Sequence, residues 1–448
     1  MKDRLMHHRW NYLLFLLLLS ELECAATFLL TPVNIRSSFQ NKPRSSNYLK
    51  HRVDENADVE NGKSIQHCPF SKYFPRYRLD LTTVREKEQP WFRMTFKSVS
   101  KNNARFKFQS QLQPGENFVW ASDKKGVAAL SFLWNRAYQV SIDKQSTFPS
   151  ELIALPDASP QMATNWVEIV EWMNQQPELS SLSEISKIHA ELIIEDSMPA
   201  VRIQRIGEAH DEPESFIPES IINKRTQAWV KRILVEMGIC PFTKSVHKSG
   251  QGLSDVGVPV ASISYHASFA TTPLRLMADT WTAILAMLEA GPSGKDGISS
   301  ILLAAPAFDD NIDVWSGPIF AMLEAGVVAS QSESSLGVVC FHPRYATPDG
   351  RSWPGFGHMH SVPRLERWYQ ESTGCPVLTT DEIAAGGAWQ RRTPHATINV
   401  LRAEQLAAAE SRRSTGQLYA VNIEKLVGRE GIGSDKLALD LERERQIL

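Results

Sequence analysis

Residues 298–343 read ISSILLAAPAFDDNIDVWSGPIFAMLEAGVVASQSESSLGVVCFHP, and this stretch decides the architecture. Ile298 to Ala304 is a continuous apolar run of strand length. Ile312, Trp315, Ile319, Met322 and Leu323 then recur at helical spacing up to Gly326, and Leu336 to Phe341 is a second apolar run that ends in His342-Pro343. An apolar run without alternation marks a strand buried on both faces. Strand, helix and strand in that order predict crossover units on a mainly parallel sheet with flanking helices, an α/β fold.

The pattern extends outward from there. Upstream, Val256 to Tyr265 predicts a strand, and Leu274, Met277, Trp281, Ile284, Leu285 and Leu288 predict a helix stopped by Gly291-Pro292. Further upstream, Trp229, Val230, Ile233, Leu234 and Met237 place an amphipathic helix over 220–238, ending near Cys240-Pro241. Downstream, Thr397 to Leu401 reads as a short apolar strand. Together these define an α/β domain over 219–430, followed by a charged tail, helical or disordered, at 431–448, which reads as solvated surface. In such sheets, ligands sit outside the carboxyl ends of the strands. His266, Asp309, Asp310 and His342 fall at or near those ends.

A smaller α+β region precedes this domain over 64–206 and reads as strand-rich. Trp91, Phe92, Met94 and Phe96, the alternation Arg105-Phe106-Lys107-Phe108, and Phe118 to Trp120 suggest a meander. Trp166 to Met173 predicts a short helix, Leu182 to His189 a second, and Leu192 to Ile194 a strand. The aromatic positions read as core, because large side chains dominate burial. Gly207 to Pro218, with Glu208, Asp211, Pro213 and Glu214, reads as a linker.

The chain has 448 residues with 48 Lys and Arg against 50 Asp and Glu. Residues 1–53 hold 8 of the basic and 3 of the acidic residues, so the remainder carries 40 against 47. A mildly acidic body lacks the basic footprint that phosphate-backbone binding needs, which excludes nucleic acid as an expected partner.

The amino end reads as an address. Lys2, Arg4 and Arg9 precede the apolar run Tyr12 to Leu19, and Cys24-Ala25-Ala26-Thr27 follows it, a signal peptide over 1–27. The run is far shorter than the roughly 20 residues of a membrane span, so no span is expected in the mature chain. From Leu29 to Val53 there is no acidic residue, while Arg36, Lys42, Arg44, Lys50 and Arg52 alternate with serines, a transit-like disordered leader over 28–63. The two parts together resemble the plastid-targeting leader of algae with secondary plastids. Secretion is the alternative. Cys68, Cys240, Cys340 and Cys375 are widely spaced with no CxxC pair, which suits a reducing compartment and gives no zinc pattern.

Three motifs carry a family resemblance: the helix ending Leu234-Val235-Glu236-Met237-Gly238-Ile239-Cys240-Pro241-Phe242-Thr243-Lys244, the strand ending Cys340-Phe341-His342-Pro343-Arg344-Tyr345, and Arg392-Thr393-Pro394-His395-Ala396-Thr397-Ile398-Asn399-Val400-Leu401-Arg402. In order and framework, residues 220–405 resemble the uncharacterised family called domain of unknown function 1415. The resemblance implies a fold and candidate residues but no reaction. Two departures stand out: Asn399 occupies a position where the family pattern has His, and residues 346–390 are inserted, bringing His358, His360 and Cys375.

These residues suggest an enzyme acting on a small anionic metabolite. Cys240, near Lys244 and His247, is the candidate nucleophile, since nearby cations favour a thiolate, with a buried helix stop as its alternative. His342 is the candidate acid or base, with a core His bonded to backbone as its alternative. Arg392 and Arg402 would clamp the anion, because guanidinium forks match carboxylate and phosphate, with Asn399 and Tyr345 alongside. Cys340 reads as core. His358 and His360 share one strand face but lack a third ligand, so no metal is expected, and no cofactor is identified. Phosphate loops, GxGxxG and GxSxG are absent from the sequence. The other reading is a non-catalytic binding or assembly module that recognises a protein partner through residues 65–206.

Overall fold

The computed structural model describes residues 101–145, 149–180, 187–209, 217–349, 361–374, 377–412 and 414–448. They fall in one compact unit. The leader, Trp91 to Phe96, Cys68, Cys375 and the pair His358 and His360 lie outside the described residues.

Residues 101–110 form a helix, α1, where the alternation at 105–108 predicts a strand. Ala104 and Phe108 are fully buried while Phe106 is 77% exposed. The informative spacing is therefore four rather than two, since side chains at i and i+4 share a helix face. Strand β1 (Asn117–Trp120), helix α2 (Gly126–Ile142), strand β2 (Ser150–Ala154), helix α3 (Pro160–Asn174) and strands β3 (Lys187–Glu195) and β4 (Met198–Ile206) follow. The strands form one sheet in the order β1-β2-β4-β3. β1 and β2 are parallel, and the other pairs are antiparallel. β3 thus corrects the expected helix at its His189 end. Asp196 and Ser197, both at positive φ (48° and 65°), make the two-residue turn that matches strand twist in a hairpin.

α1 covers one face of this sheet, with Ala104 and Phe108 packed on Leu152, Ala154 and Ala200. The next residue along β2, Glu151, points to the opposite face and takes the Arg136 guanidinium of α2. α3 starts where Ser159 accepts the Met162 N–H and Pro160 sits in the first turn. Trp134 and Trp166 lock α2 to α3 edge to face, 5.5 Å apart.

Helix α4 (Glu219–Trp229) runs into a π-helical turn at Val230–Glu236. Strands β5 (Thr243–Ser245), β6 (Lys248–Ser249) and β7 (Ala261–Ala267), helix α5 (Pro273–Ala290) and strand β8 (Ile298–Ala304) come next. A π-helical turn, Trp315–Ile319, built around Pro318 with its missing N–H, leads into α6 (Phe320–Ala329) and then β9 (Leu336–Phe341). Helices α7 (Val362–Thr373) and α8 (Thr380–Trp389), strand β10 (Thr397–Arg402), and helices α9 (Ala403–Arg412), α10 (Thr415–Val427) and α11 (Ser434–Arg445) complete the chain. β7 starts later than Val256 because residues 254–256 form a 3-10 turn closed by Gly257 at φ 85°.

The second sheet has the order β5-β6-β7-β8-β10-β9 and is mixed, not mainly parallel. β7 and β8 are parallel, but β10 inserts antiparallel between β8 and β9. The apolar runs of β8 and β9 carry no direction: a strand covered on both faces looks the same in a parallel or an antiparallel ladder.

A shared helical layer joins the two sheets, with α2 against α5 and α3 against α6. Asn135 Nδ2 donates to Thr282 Oγ1 at 2.9 Å across it. Gly326 is needed here, because a Cβ at that position would lie 2.4 Å from the Trp281 ring. Ile312–Ala329 has a mean hydropathy of 1.4 and is 67% buried, which is how a core helix looks. The charged tail corrects another expectation: α11 buries Leu437 and Leu441, and Arg232 grips Glu444 with two bonds of 2.6 and 2.8 Å.

Candidate functional site

β7, β8 and β9 point the same way, so their carboxyl ends share one edge with the amino end of β10. Thr397 stands opposite both Ala304 and Phe341, and Ala267 stands opposite Ala304. Beyond this edge, Ala305 N–H donates to Ala396 O at 2.7 Å, and a 3-10 turn at Pro306–Phe308 delivers Asp309.

Asp309 is 8% exposed and doubly occupied. Its Oδ1 accepts the Ala396 N–H at 2.7 Å, and its Oδ2 accepts from His395 Nδ1 at 2.8 Å. His395 Nε2 lies 3.4 Å from Arg225 Nη1 of α4. A guanidinium can only donate, so in this contact Nε2 accepts and Nδ1 carries the hydrogen that faces Asp309. Arg225 Nε donates to Ile447 O at 3.0 Å, and Arg445 of α11 approaches Asp309 Oδ2 at 3.7 Å. Burial and then the Arg445 charge push the Arg225 guanidinium below its ordinary value, while Asp309 opposes them. Two guanidiniums around one carboxylate leave positive charge in excess. On the neighbouring strand, His266 bonds Ser264 Oγ at 2.8 Å, and burial lowers its pKa against the pull of Glu219.

The sequence candidates divide into groups. His342 is fully buried and its ring is spent on backbone. Nδ1 accepts the Arg344 N–H at 3.0 Å, so Nε2 carries the hydrogen and donates to Phe308 O at 3.1 Å. Burial, first of all, lowers its pKa. This geometry makes His342 a clamp on the turn that carries Asp309. His342→Ala is expected to lower stability by roughly 2–3 kcal/mol, since it strands the buried Phe308 carbonyl and removes the acceptor of the part-buried Arg344 N–H. Urea denaturation measures this, and a loss below about 0.5 kcal/mol would mean the turn holds without the clamp.

Tyr345 and Arg392 lie beside His342. Tyr345 N–H donates to His342 O at 3.0 Å, and Arg392 Nε donates to Tyr345 O at 2.9 Å with its guanidinium 4.4 Å over the Trp389 ring. Arg402 is elsewhere. It closes the far end of β10, about 17 Å along the strand from Thr397, and donates to Ile298 O at 2.7 Å and Met287 O at 2.5 Å. The two arginines therefore do not form one clamp, because they flank the strand at opposite ends. Asn399 sits between them, paired with Leu302 and Val339. Cys240 is half-buried, and Thr243 Oγ1 donates to its sulfur at 3.3 Å. Lys244 is exposed, and its backbone N–H bonds Gln251 Oε1 at 2.6 Å. Cys340 is fully buried, and burial raises its thiol. Among the described residues no group of three His, Cys, Asp or Glu could hold a metal.

His395, Arg225 and Arg445 escaped sequence reading. His395 lies in a quoted motif, and its signal was a buried acid after β8 matched by a His just before β10. That signal is visible only once β10 is known to lie beside β8. Arg225 and Arg445 give no signal of their own on helices that read as amphipathic and as solvated.

Residues 221–352 match the model of a family described as protein of unknown function (DUF1415). The match spans α4 to the segment after β9, thus Arg225, Cys240, Asp309 and His342, and stops before His395 and Arg445. No curated protein and no solved structure matches the chain.

Proposed function

We propose that this chain, with its DUF1415 region at 221–352, binds a small anionic molecule at the carboxyl edge of its second sheet. Arg225 and Arg445 receive the anion, and Asp309 and His395 hold the cations in place. The observation that carries this reading is the charge imbalance: among the described residues, two guanidiniums, Arg225 and Arg445, stand around Asp309, whose oxygens already accept from His395 Nδ1 and Ala396 N–H. Arg445 is 37% exposed and reaches Asp309 only at 3.7 Å, so its fork is available to a second acceptor. Planar guanidiniums suit carboxylate and phosphate oxygens. The anion clamp expected at Arg392 and Arg402 is thereby moved to residues that do converge.

The chemistry supported is binding. An Asp–His pair with Nδ1–H on the carboxylate resembles the base of a hydrolytic triad. Here, though, Nε2 faces a guanidinium rather than a hydroxyl or thiol.

The test is thermal unfolding with inorganic phosphate and with succinate, against chloride at matched ionic strength. The wild-type chain is expected to shift upward with at least one of them. Arg445→Ala, on a partly exposed helix end, is expected to bind about tenfold more weakly, the loss of one charge-assisted contact. Equal shifts in both proteins would end this reading.

A further inference from the structure

His395 is only 3% exposed, and its two ring nitrogens meet opposite surroundings. Nδ1 faces the Asp309 carboxylate at 2.8 Å, which favours a charged ring, whereas Nε2 faces Arg225 Nη1 at 3.4 Å, which opposes one. A proton on Nε2 would set two donors against each other beside a guanidinium. The observed contact thus leaves Nε2 as an acceptor whose proton affinity depends on how far the Arg225 charge is neutralised. An anion seated on Arg225 and Arg445 neutralises that charge and gives an Nε2–H something to bond.

The other charged groups of the elements around this edge already have partners. Asp310, next to Asp309, pairs with Arg344 at 2.5 Å, and Glu444 of α11 pairs with Arg232 at 2.6 Å. His266 of β7 bonds Ser264 and feels the charge of Glu219 of α4. His342 has both ring nitrogens on backbone groups. What is left is Arg225 and Arg445 against Asp309, one positive charge, and a proton on His395 makes it two. Two positive charges match a dianion.

We propose, resting on the anion site described above, that this site takes a dianion together with one proton from solvent, the proton going to His395 Nε2. The imidazolium then donates from Nδ1 to Asp309 and from Nε2 to the anion, while Arg225 and Arg445 hold the anion's other oxygens. Linkage is reciprocal: the factor by which the proton tightens the anion is the factor by which the anion tightens the proton. The protonated ring is the better receptor, so affinity rises as pH falls through the range in which histidine changes charge.

The test is calorimetric titration of the full chain with sulfate and with methyl sulfate between pH 5.5 and 8 at constant ionic strength. Sulfate stays a dianion and methyl sulfate a monoanion over that range, so any pH dependence belongs to the protein. Sulfate affinity is expected to rise about tenfold from pH 8 to pH 5.5, a coupling of ordinary size. Methyl sulfate should gain about threefold, since half the charge gives about half the coupling. Buffers of different ionisation enthalpy should report proton uptake with sulfate. His395→Gln, which keeps an amide donor for Asp309, should bind sulfate without pH dependence or proton uptake. In the wild-type chain, the ring-nitrogen NMR signals of His395 should change to those of a charged imidazole when sulfate is added. Sulfate affinity that is flat with pH, proton uptake that persists in His395→Gln, or ring signals that do not change would overturn the proposal and leave the anion site standing. An equal rise for methyl sulfate would overturn the preference for a dianion. Absence of sulfate and methyl sulfate binding at every pH would remove both the proposal and the site.

Discussion

Asp309→Ala is expected to lower the unfolding free energy by about 3–5 kcal/mol, the usual effect of removing one partner from a buried charged network. The carboxylate accepts from His395 Nδ1 and Ala396 N–H, and it is the counter-charge between Arg225 and Arg445. Without it, two guanidiniums face each other at a largely buried site, and the amino end of β10 loses its tie to the turn after β8. Asp309→Asn keeps an acceptor for Ala396 and should fall between the two. The adjacent Asp310 is the control. It is 80% exposed and pairs with Arg344 at the surface, so Asp310→Ala should change stability by only about 0–1 kcal/mol. Urea denaturation of the three variants reads the contrast. Equal small losses at 309 and 310 would show that the network is not coupled to folding.

Glu324→Gln is expected to flatten the dependence of stability on pH. Glu324 sits on α6 in the helical layer and is 5% exposed, and its Oε1 has no hydrogen-bond partner among the described residues. Burial pushes its carboxyl up from 4.5 to about 8. Below about pH 4.5 the group is protonated in both folded and unfolded chains and contributes no pH dependence. Between there and about pH 8 the unfolded chain ionises while the folded one stays neutral, so the unfolded state binds fewer protons and stability falls as pH rises. The fall levels off above about pH 8 and totals on the order of 5 kcal/mol at about 1.4 kcal/mol per pH unit. Glutamine has no proton to lose. The difference between variant and wild type should therefore grow in the variant's favour from pH 4.5 to 8, as chemical denaturation across that range would show. A difference constant with pH would mean that water or a counter-ion reaches the carboxylate.

Both variants bear on how the chain is built. The tie from Asp309 to His395 crosses 86 residues, and Glu324 lies in a helix whose apolar spacing was plain in the sequence while its burial among other helices was not. His342 marks the same divide. Its place after a buried strand was legible, but whether its ring nitrogens met a ligand or backbone depended on where Phe308 and Arg344 came to lie.

What the sequence determined by itself was local. The periodicity of Leu274 to Leu288 and the unbroken runs at 298–304 and 336–341 identify a helix and two strands, because the period of burial follows from the geometry of a single element. The same rule misled at Phe106 and Phe108, where two aromatics admit both periods and only the packing of Ala104 and Phe108 on the first sheet chose the helix. Direction and adjacency belonged to the tertiary structure. The antiparallel insertion of β10 made the second sheet mixed, set Arg392 and Arg402 at opposite ends, and drew Arg225, Asp309, His395 and Arg445 from four distant segments onto one edge. Hydrophobic pattern records how much of a strand is covered but not which neighbour covers it, so a site assembled across strands becomes visible only when the chain has folded.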